Sequence, residues 1–460
     1  EYDQAFRLSN IYSAAYPTGT KKVRDAFYKY NANTIKRLQL GNAQGVDYSY
    51  NSRDWLAMIN QQNLDSVQDP GHDGLNGIPL DKFGMVLGYE NIEHIGSAQG
   101  TNANWNGNIS WIMYQMSGVN FNTNYPLVGW SYTYDVLNRL SSANFGYYNN
   151  AWTNTNAFDE KDLIYSPNGN IINLKRYNSS SVLMDNLTYN YFANTNKLNF
   201  VQDPVGSTVS AVDIDNQSAN NYGYDQNGNV IEDLEGRKYF VIYDIFNKPI
   251  TLYLSTGTIN YQYDADGMRV YNSYSQNYYV NDYAGKNQAI INKNNLSSIS
   301  YNIYGNDLIG KIDAGSGIQR YYYLKDHLGS IKVVVDQLGY KVAFHDYYPF
   351  GMLMDGRVGS SGINFPFKFT EKERDVETNY DYFGARFYES RLGRWMQVDP
   401  FAHKYPGWSP YNYSLNNPVV NVDPDGNYVK RQNNLGQTIF QQWTVEGAFA
   451  QLRKENEIND

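Results

Sequence analysis

Along most of the chain, apolar and polar positions alternate one by one in short runs, and each run breaks at a cluster of Asn, Asp or Gly. SYTYDVLNRLSS (131–142), LTYNYFANTNKLNF (187–200), YGYDQNGNVIED (222–233), VIYDIFNKPITLY (241–253) and INYQYDADGMRVY (259–271) share one template, and LIYSPNGNIINLKRY (163–177) is a looser copy. Aromatics alternate, then come Asp or another polar residue, a turn, and a second apolar stretch. A period of two puts alternate side chains on opposite faces and predicts strands, while DQNG, DADG and PNGN are turn chemistry. Each unit is therefore a predicted β-hairpin. Where copies lie close, Tyr224, Tyr243 and Tyr263 recur at intervals of 19 and 20 residues. A lone hairpin is marginal in water, so the units must pair side by side into a long sheet. GVDYSYNSRDWLAMIN (45–60) and NWNGNISWIMYQ (104–115) carry the pattern, in degenerate form, into the N-terminal third. An ordinary β-solenoid or sandwich and a spiral sheet both satisfy this pattern. One segment departs from it: FQQWTVEGAFAQLRKENE has apolar residues at 440, 443, 445, 449 and 452, the spacing of an amphipathic helix.

Composition sharpens the picture. Tyrosine supplies 45 of the 73 aromatics among 460 residues, and charged residues make up only 18%. Tyr suits a pleated surface because its ring packs while its hydroxyl stays hydrated or paired. The net charge of −9, with no basic cluster longer than Lys21-Lys22, argues against a nucleic-acid partner. The absence of Cys excludes a disulfide framework, a thiolate nucleophile and Cys-ligated metal. No apolar run approaches the roughly 18 residues of a membrane span. The chain begins at Glu1 without a signal-peptide pattern and reads as a fragment or processed product.

From about residue 321 the loose repeats give way to a dense run containing KDHLGS (325–330), YYPFG (347–351), FTEKERD (369–375), YFGARFY (382–388), LGRWMQVDP (392–400), and SPYNYSLNNPV leading to DPDG (409–426). With the Tyr-x-Tyr-Asp units before it, this series resembles an RHS repeat-associated core domain behind RHS (YD) repeats, in wording of the Bacteroidetes type. The relatives it points to are the C subunit of ABC toxins and bacterial RHS polymorphic toxins. The resemblance implies an all-β fold in which YD-repeat hairpins wind into a spiral sheet or hollow shell, closed at one end by the core domain. It divides the chain into degenerate N-terminal repeats (1–125), YD/RHS repeats (126–320), the core (321–427) and the start of a variable C-terminal segment (428–460). It further implies a secreted or cell-surface protein whose partner is its own C-terminal cargo, a toxin or effector, with a secretion-system or shell-completing component as a second partner. An inner wall poor in charge and rich in Tyr and Asn is expected.

In such relatives the core cuts the chain after the final DPxG-type sequence by an aspartate-dependent reaction. Carried over, this makes Asp399 and Asp423 the candidate carboxylates, Arg386 of FGARFY the residue that keeps a carboxylate ionised, and Asn427–Tyr428 the expected bond. Peptide hydrolysis needs a general base toward water and a general acid, and two close carboxyl groups split their pKa values. Three departures accompany the match: DPFA replaces DPxG at Asp399, Asn427 stands where cleaving relatives often carry Leu or Met, and Phe387 offers no further carboxylate. Asp-Pro is also ordinary turn chemistry, so autoproteolysis and a turn-only role both stay open. No cofactor or metal site is expected. GNDLIGKI (305–312) ends in Ile312 where a P-loop needs Ser or Thr, and DADG and DPDG lack the rest of a calcium loop. The five His residues have no close ligand spacing, and His327 reads as ordering a strand end. The alternative function is a surface carbohydrate-binding or adhesion module, since Tyr-rich sheets suit sugar stacking.

Overall fold

A computed structural model describes residues 1–14, 22–32, 34–90, 104–118, 127–149, 151–206, 213–235, 238–315, 317–432 and 438–441. In it the alternating runs are strands laid down in chain order. Two 14-stranded antiparallel sheets form, the first from Asn10–Ala14 to Leu198–Gln202 and the second from Tyr222–Tyr224 to Leu353–Ser360. Each strand pairs with its sequence neighbours, except that Trp152–Asn154 branches off Leu140–Tyr148. Among the described residues there is no α-helix, only short 3-10 turns such as Phe369–Glu371. The ladder runs through residue 321 without a break, so the start of the dense run is woven into the second sheet.

The Tyr and the residue after it have physical roles before these turns: Tyr-Asp pairs stand at 134–135, 224–225, 243–244 and 263–264, while Ser166 follows Tyr165 and Phe192 follows Tyr191. The Asp carboxylate accepts the backbone N–H groups two and four residues on, as Asp244 does from Phe246 and Lys248, both at 2.9 Å, and Asp282 from Ala284 and Lys286, both at 2.9 Å. This Asx-type arrangement closes the turn. The Tyr hydroxyl donates to a carbonyl of a preceding strand or of the turn before it: Tyr134 to Ile109 at 2.7 Å, Tyr165 to Leu140 at 2.6 Å, Tyr191 to Ile171 at 2.7 Å, Tyr243 to Val230 at 2.7 Å and Tyr263 to Pro249 at 2.9 Å. Tyr224 reaches Leu198, the first residue of the last strand of the first sheet, at 3.0 Å and so ties the two sheets together.

The two sheets also meet where the first begins. Arg320 on the second sheet pairs with Asp25 at 3.0 Å and donates to the Ser13 hydroxyl at 2.9 Å. Near the first sheet's middle, Tyr114 donates to Asp346 at 2.7 Å, and the same buried carboxylate is held by Lys332 and by Arg357 at 2.6 Å. Against both sheets lies the C-terminal segment, with four two- or three-residue strands from Glu373–Arg374 to Arg394–Trp395. Its Trp395, Tyr388, Tyr413 and Phe383 pack ring on ring, with centroids 4.9 Å apart for Phe383–Trp395 and 4.3 Å for Tyr388–Tyr413. Tyr189 of the first sheet donates to the Leu392 carbonyl at 3.1 Å, and Tyr261 of the second donates to Asp375 at 2.9 Å.

The tail differs from expectation at its start. Thr438–Gln441 is a strand whose Phe440 pairs with Arg431, because the edge of the strand Lys430–Gln432 offers backbone partners that a short isolated helix lacks. Residues 442–460, which hold the rest of the expected helix, lie outside the described residues.

Two classes of substitution should separate in urea unfolding. Tyr263→Phe and Asp264→Ala each remove one repeat contact and are expected to cost about 1 kcal/mol. Asp346→Asn removes the carboxylate shared by two buried cations and is expected to cost about 3–5 kcal/mol.

Candidate functional site

The strand Phe387–Glu389 and the turn before it carry Arg386 into the centre of the C-terminal segment, where its guanidinium lies over the Trp395 ring at 4.1 Å. One nitrogen, Nη2, touches both carboxylates singled out from the sequence: Asp399 Oδ2 at 3.0 Å and Asp423 Oδ2 at 3.0 Å. Nε donates to the Gly426 carbonyl at 2.6 Å, and Nη1 reaches the Pro410 carbonyl at 3.3 Å. The planar fork thus binds two carboxylates and two backbone carbonyls at once, one acceptor more than the three N–H groups of a lysine could serve.

Asp423 follows directly on the short strand Asn421–Val422 and is fully buried. Its Oδ1 accepts the Gly426 N–H at 2.7 Å, while Asp425 Oδ1 accepts the Asn427 N–H at 3.0 Å. Gly426 has φ +79°, and a Cβ there would lie 3.0 Å from the Arg386 nitrogen, so the tight turn requires glycine. Burial pushes the Asp423 carboxyl up to about 6; Arg386 opposes the shift, and Asp425 and Asp399 add to it. Burial also raises the Asp399 carboxyl, again opposed by Arg386. Asp399 is the more open of the two, with its side chain 14% exposed, and its Oδ1 accepts the Phe401 N–H at 2.7 Å.

Two lysines that the sequence reading passed over join this turn. Lys372 Nζ donates to the Pro424 carbonyl at 2.7 Å, and Lys248 Nζ donates to the Gly384 carbonyl at 2.5 Å. Burial lowers both amines, Lys248 to about 8. Lys372 lies inside the quoted FTEKERD element, but only the fold brings it to residue 424. His327, expected to order a strand end, sits with Nε2 2.8 Å from the Val419 carbonyl.

Asp423, Asp425, Asn427 and Tyr428 border a cavity of about 1650 Å³ that also meets Tyr48, Tyr50, Tyr279 and Tyr304. Its wall is Tyr-rich as expected, but it is not poor in charge. Lys325 pairs there with Asp307 at 2.7 Å and Glu371 at 2.6 Å, and Arg269 pairs with Glu373 at 2.9 Å. Lys325 and Arg269 keep their charges on this wall because each has two carboxylate partners.

Residues 290–419 match the family described as Teneurin YD-shell. Salivary gland surface protein 1 of Aedes aegypti is 31% identical over 228 residues, 44% of this chain and 6% of that protein. The tRNA3(Ser)-specific nuclease WapA of Bacillus spizizenii is 27% identical over 263 residues, 53% of this chain and 11% of the nuclease. The fold is that of a chain in the Photorhabdus luminescens Tc holotoxin pore with a TccC3 mutation: TM-score 0.66 and 18% identity, covering 95% of this chain and 21% of that one. The chain therefore spans a small part of each relative's length. The YD-repeat kinship and the all-β shell architecture expected from the sequence both hold. No helix among the described residues is long and apolar enough to cross a membrane.

A carboxyl whose folded pKa is raised binds its proton more tightly in the folded state. Its stabilising contribution is therefore present at low pH and is lost as pH rises through about 6. Relative to Asp423→Asn, which cannot ionise, the natural chain should lose on the order of 3 kcal/mol between pH 4 and pH 8. Urea unfolding of the two chains at several pH values measures this.

Proposed function

Starting from a YD-repeat, RHS-type shell, we propose that this chain is the closing part of a container that holds its own C-terminal toxin or effector segment and frees it by aspartate-dependent self-cleavage. The observation that carries this reading is the Arg386 cluster. One guanidinium joins two raised-pKa carboxyl groups to the backbone carbonyl of the DPDG turn, on the border of a large cavity. Such pairs serve as acid and base in hydrolysis.

In the proposed reaction Asp399, the more open carboxylate, removes a proton from a water entering from the cavity. The hydroxide adds to a carbonyl carbon of the turn. Asp423, which keeps its proton up to about pH 6, delivers that proton to the departing amide nitrogen, giving one new carboxyl and one new amine. Arg386 stabilises the oxyanion it already touches as a carbonyl. That carbonyl belongs to Gly426, so the geometry favours the Gly426–Asn427 bond over the Asn427–Tyr428 bond expected from the sequence.

The chain covers 21% of the Tc toxin chain it resembles, so the proposed container includes further shell from elsewhere in the protein or from a partner component. Secretion to the cell surface or medium belongs to the same reading. The adhesion alternative needs an open Tyr-lined face; the container reading is preferred because the Arg386 cluster and the DPDG turn border the cavity.

Intact mass of the freshly expressed chain, tagged after Asp460, tests the reaction. A split chain is expected, with the fragment's mass identifying which side of Asn427 was cut. Asp399→Asn and Asp423→Asn should each slow cleavage by at least about 100-fold. A natural chain that stays whole would leave Asp399 and Asp423 as turn residues only.

A further inference from the structure

Far from the Arg386 cluster, four aspartates converge inside the first sheet. Asp47 lies on the strand Gln44–Tyr50; Asp69, Asp73 and Asp81 lie on the long connection between the strands Leu56–Ile59 and Phe83–Gly88. All four are at most 4% exposed. One carboxylate oxygen from each of Asp47, Asp69 and Asp73 lies within 4.8 Å of the others. The basic partner is Arg37, which pairs with Asp47 and, at 2.5 Å, with Asp73. Four carboxylates against one guanidinium leave a large buried negative charge, an arrangement that costs several kcal/mol per uncompensated ion.

A separate observation singles out where the compensation is missing. Asp69 Oδ2 accepts the N–H groups of Gly71 at 2.9 Å and Asp73 at 3.1 Å, but the buried Asp69 Oδ1 receives no hydrogen bond. The Asp69 carboxyl instead lies within hydrogen-bond reach of the Asp81 carboxyl, a second acceptor when ionised. The surroundings hold these groups in position: Gln44 Nε2 donates to Asp81 at 2.7 Å, the Asp47 N–H donates to Asn60 at 2.6 Å, and the Gly45 N–H donates to Asp73 at 3.0 Å. Buried polar atoms in folded proteins are almost always satisfied. An orphaned carboxylate oxygen facing other carboxylates asks for a cation or a proton.

We propose that Asp47, Asp69 and Asp73 bind one calcium ion, with Asp81 beside Asp69 orienting it, and that the ion fastens this connection to the ladder. An all-carboxylate set selects a hard cation. An ion centred on three oxygens spaced by at most 4.8 Å lies no more than about 2.8 Å from each, a span that includes the 2.3–2.6 Å of calcium. Calcium also accepts the several protein oxygens of a buried cage, whereas magnesium usually keeps waters that this interior would have to house. A proton shared between the neighbouring Asp69 and Asp81 carboxyls is the competing solution.

Calorimetric titration of the chelator-stripped full chain with CaCl₂, and separately with MgCl₂, together with thermal melts at pH 8, decides between them. One saturable calcium site is expected, with a rise in Tm of at least about 3 °C at saturation and little response to magnesium. Asp69→Asn and Asp81→Asn should each weaken binding more than tenfold; their melts in EDTA report that they remain folded. The proposal is overturned if the natural chain gives no saturable heat and melts alike in calcium and EDTA, or if Asp69→Asn binds as tightly as the natural chain. A Tm in EDTA that falls as pH rises toward 9, with calcium adding nothing, would assign the cluster to a shared proton and also overturn it.

Discussion

The shell depends on one repeated contact, a tyrosine hydroxyl donating across to a carbonyl of the preceding strand or turn while the aspartate that follows closes the next turn. Each hydrogen bond is worth only about 1 kcal/mol net, but the contact sets geometry as well as energy. A strand's register is otherwise weakly defined where both faces are amphipathic, and a slip of one residue would reverse every side chain. The Tyr hydroxyl reaches its carbonyl in one register, as between Tyr243 and Val230 or Tyr263 and Pro249. Phenylalanine would pack as well and specify nothing. This accounts for a composition in which tyrosine outnumbers phenylalanine 45 to 20.

A second constraint is charge carried into the interior. The C-terminal segment is fastened to the sheets by buried ionic groups, among them Arg269 with Asp375 at 2.7 Å and Glu373 at 2.9 Å. Such clusters contribute more to choosing a single arrangement than to net stability, since their desolvation offsets most of their attraction. The Arg386 cluster belongs to this class but differs in one respect. Its guanidinium is shared between two carboxylates and a peptide carbonyl, so neither carboxyl is fully compensated and both titrate upward.

The repeats were legible because they are local. Period-two alternation and Asn-Gly or Asp-Gly turns act over a dozen residues, so hairpins, their pairing order and the all-β class follow from short windows of sequence. Arg386, Asp399 and Asp423 were legible only through family resemblance, and the structure brings all three onto one nitrogen. What escaped was long-range. Lys248 meets Gly384 across 136 residues, and no pattern in NKPI announces that. The Asp47 cluster escaped for the same reason, its members being separated by strand and turn. The helix expected from Phe440 began wrongly because period alone cannot register a neighbouring strand edge that offers hydrogen bonds.

The strictly sequential pairing order has a mechanical consequence. Because the described strands pair with their chain neighbours, the Trp152–Asn154 branch apart, none of them is threaded between two that are remote in sequence. A pull on either end therefore meets the hairpins in series, peeling them one at a time rather than breaking many in parallel. The same order lets each hairpin dock on the one before it as the chain emerges from a ribosome. The wall can thus be built up progressively along the chain, with no late threading step.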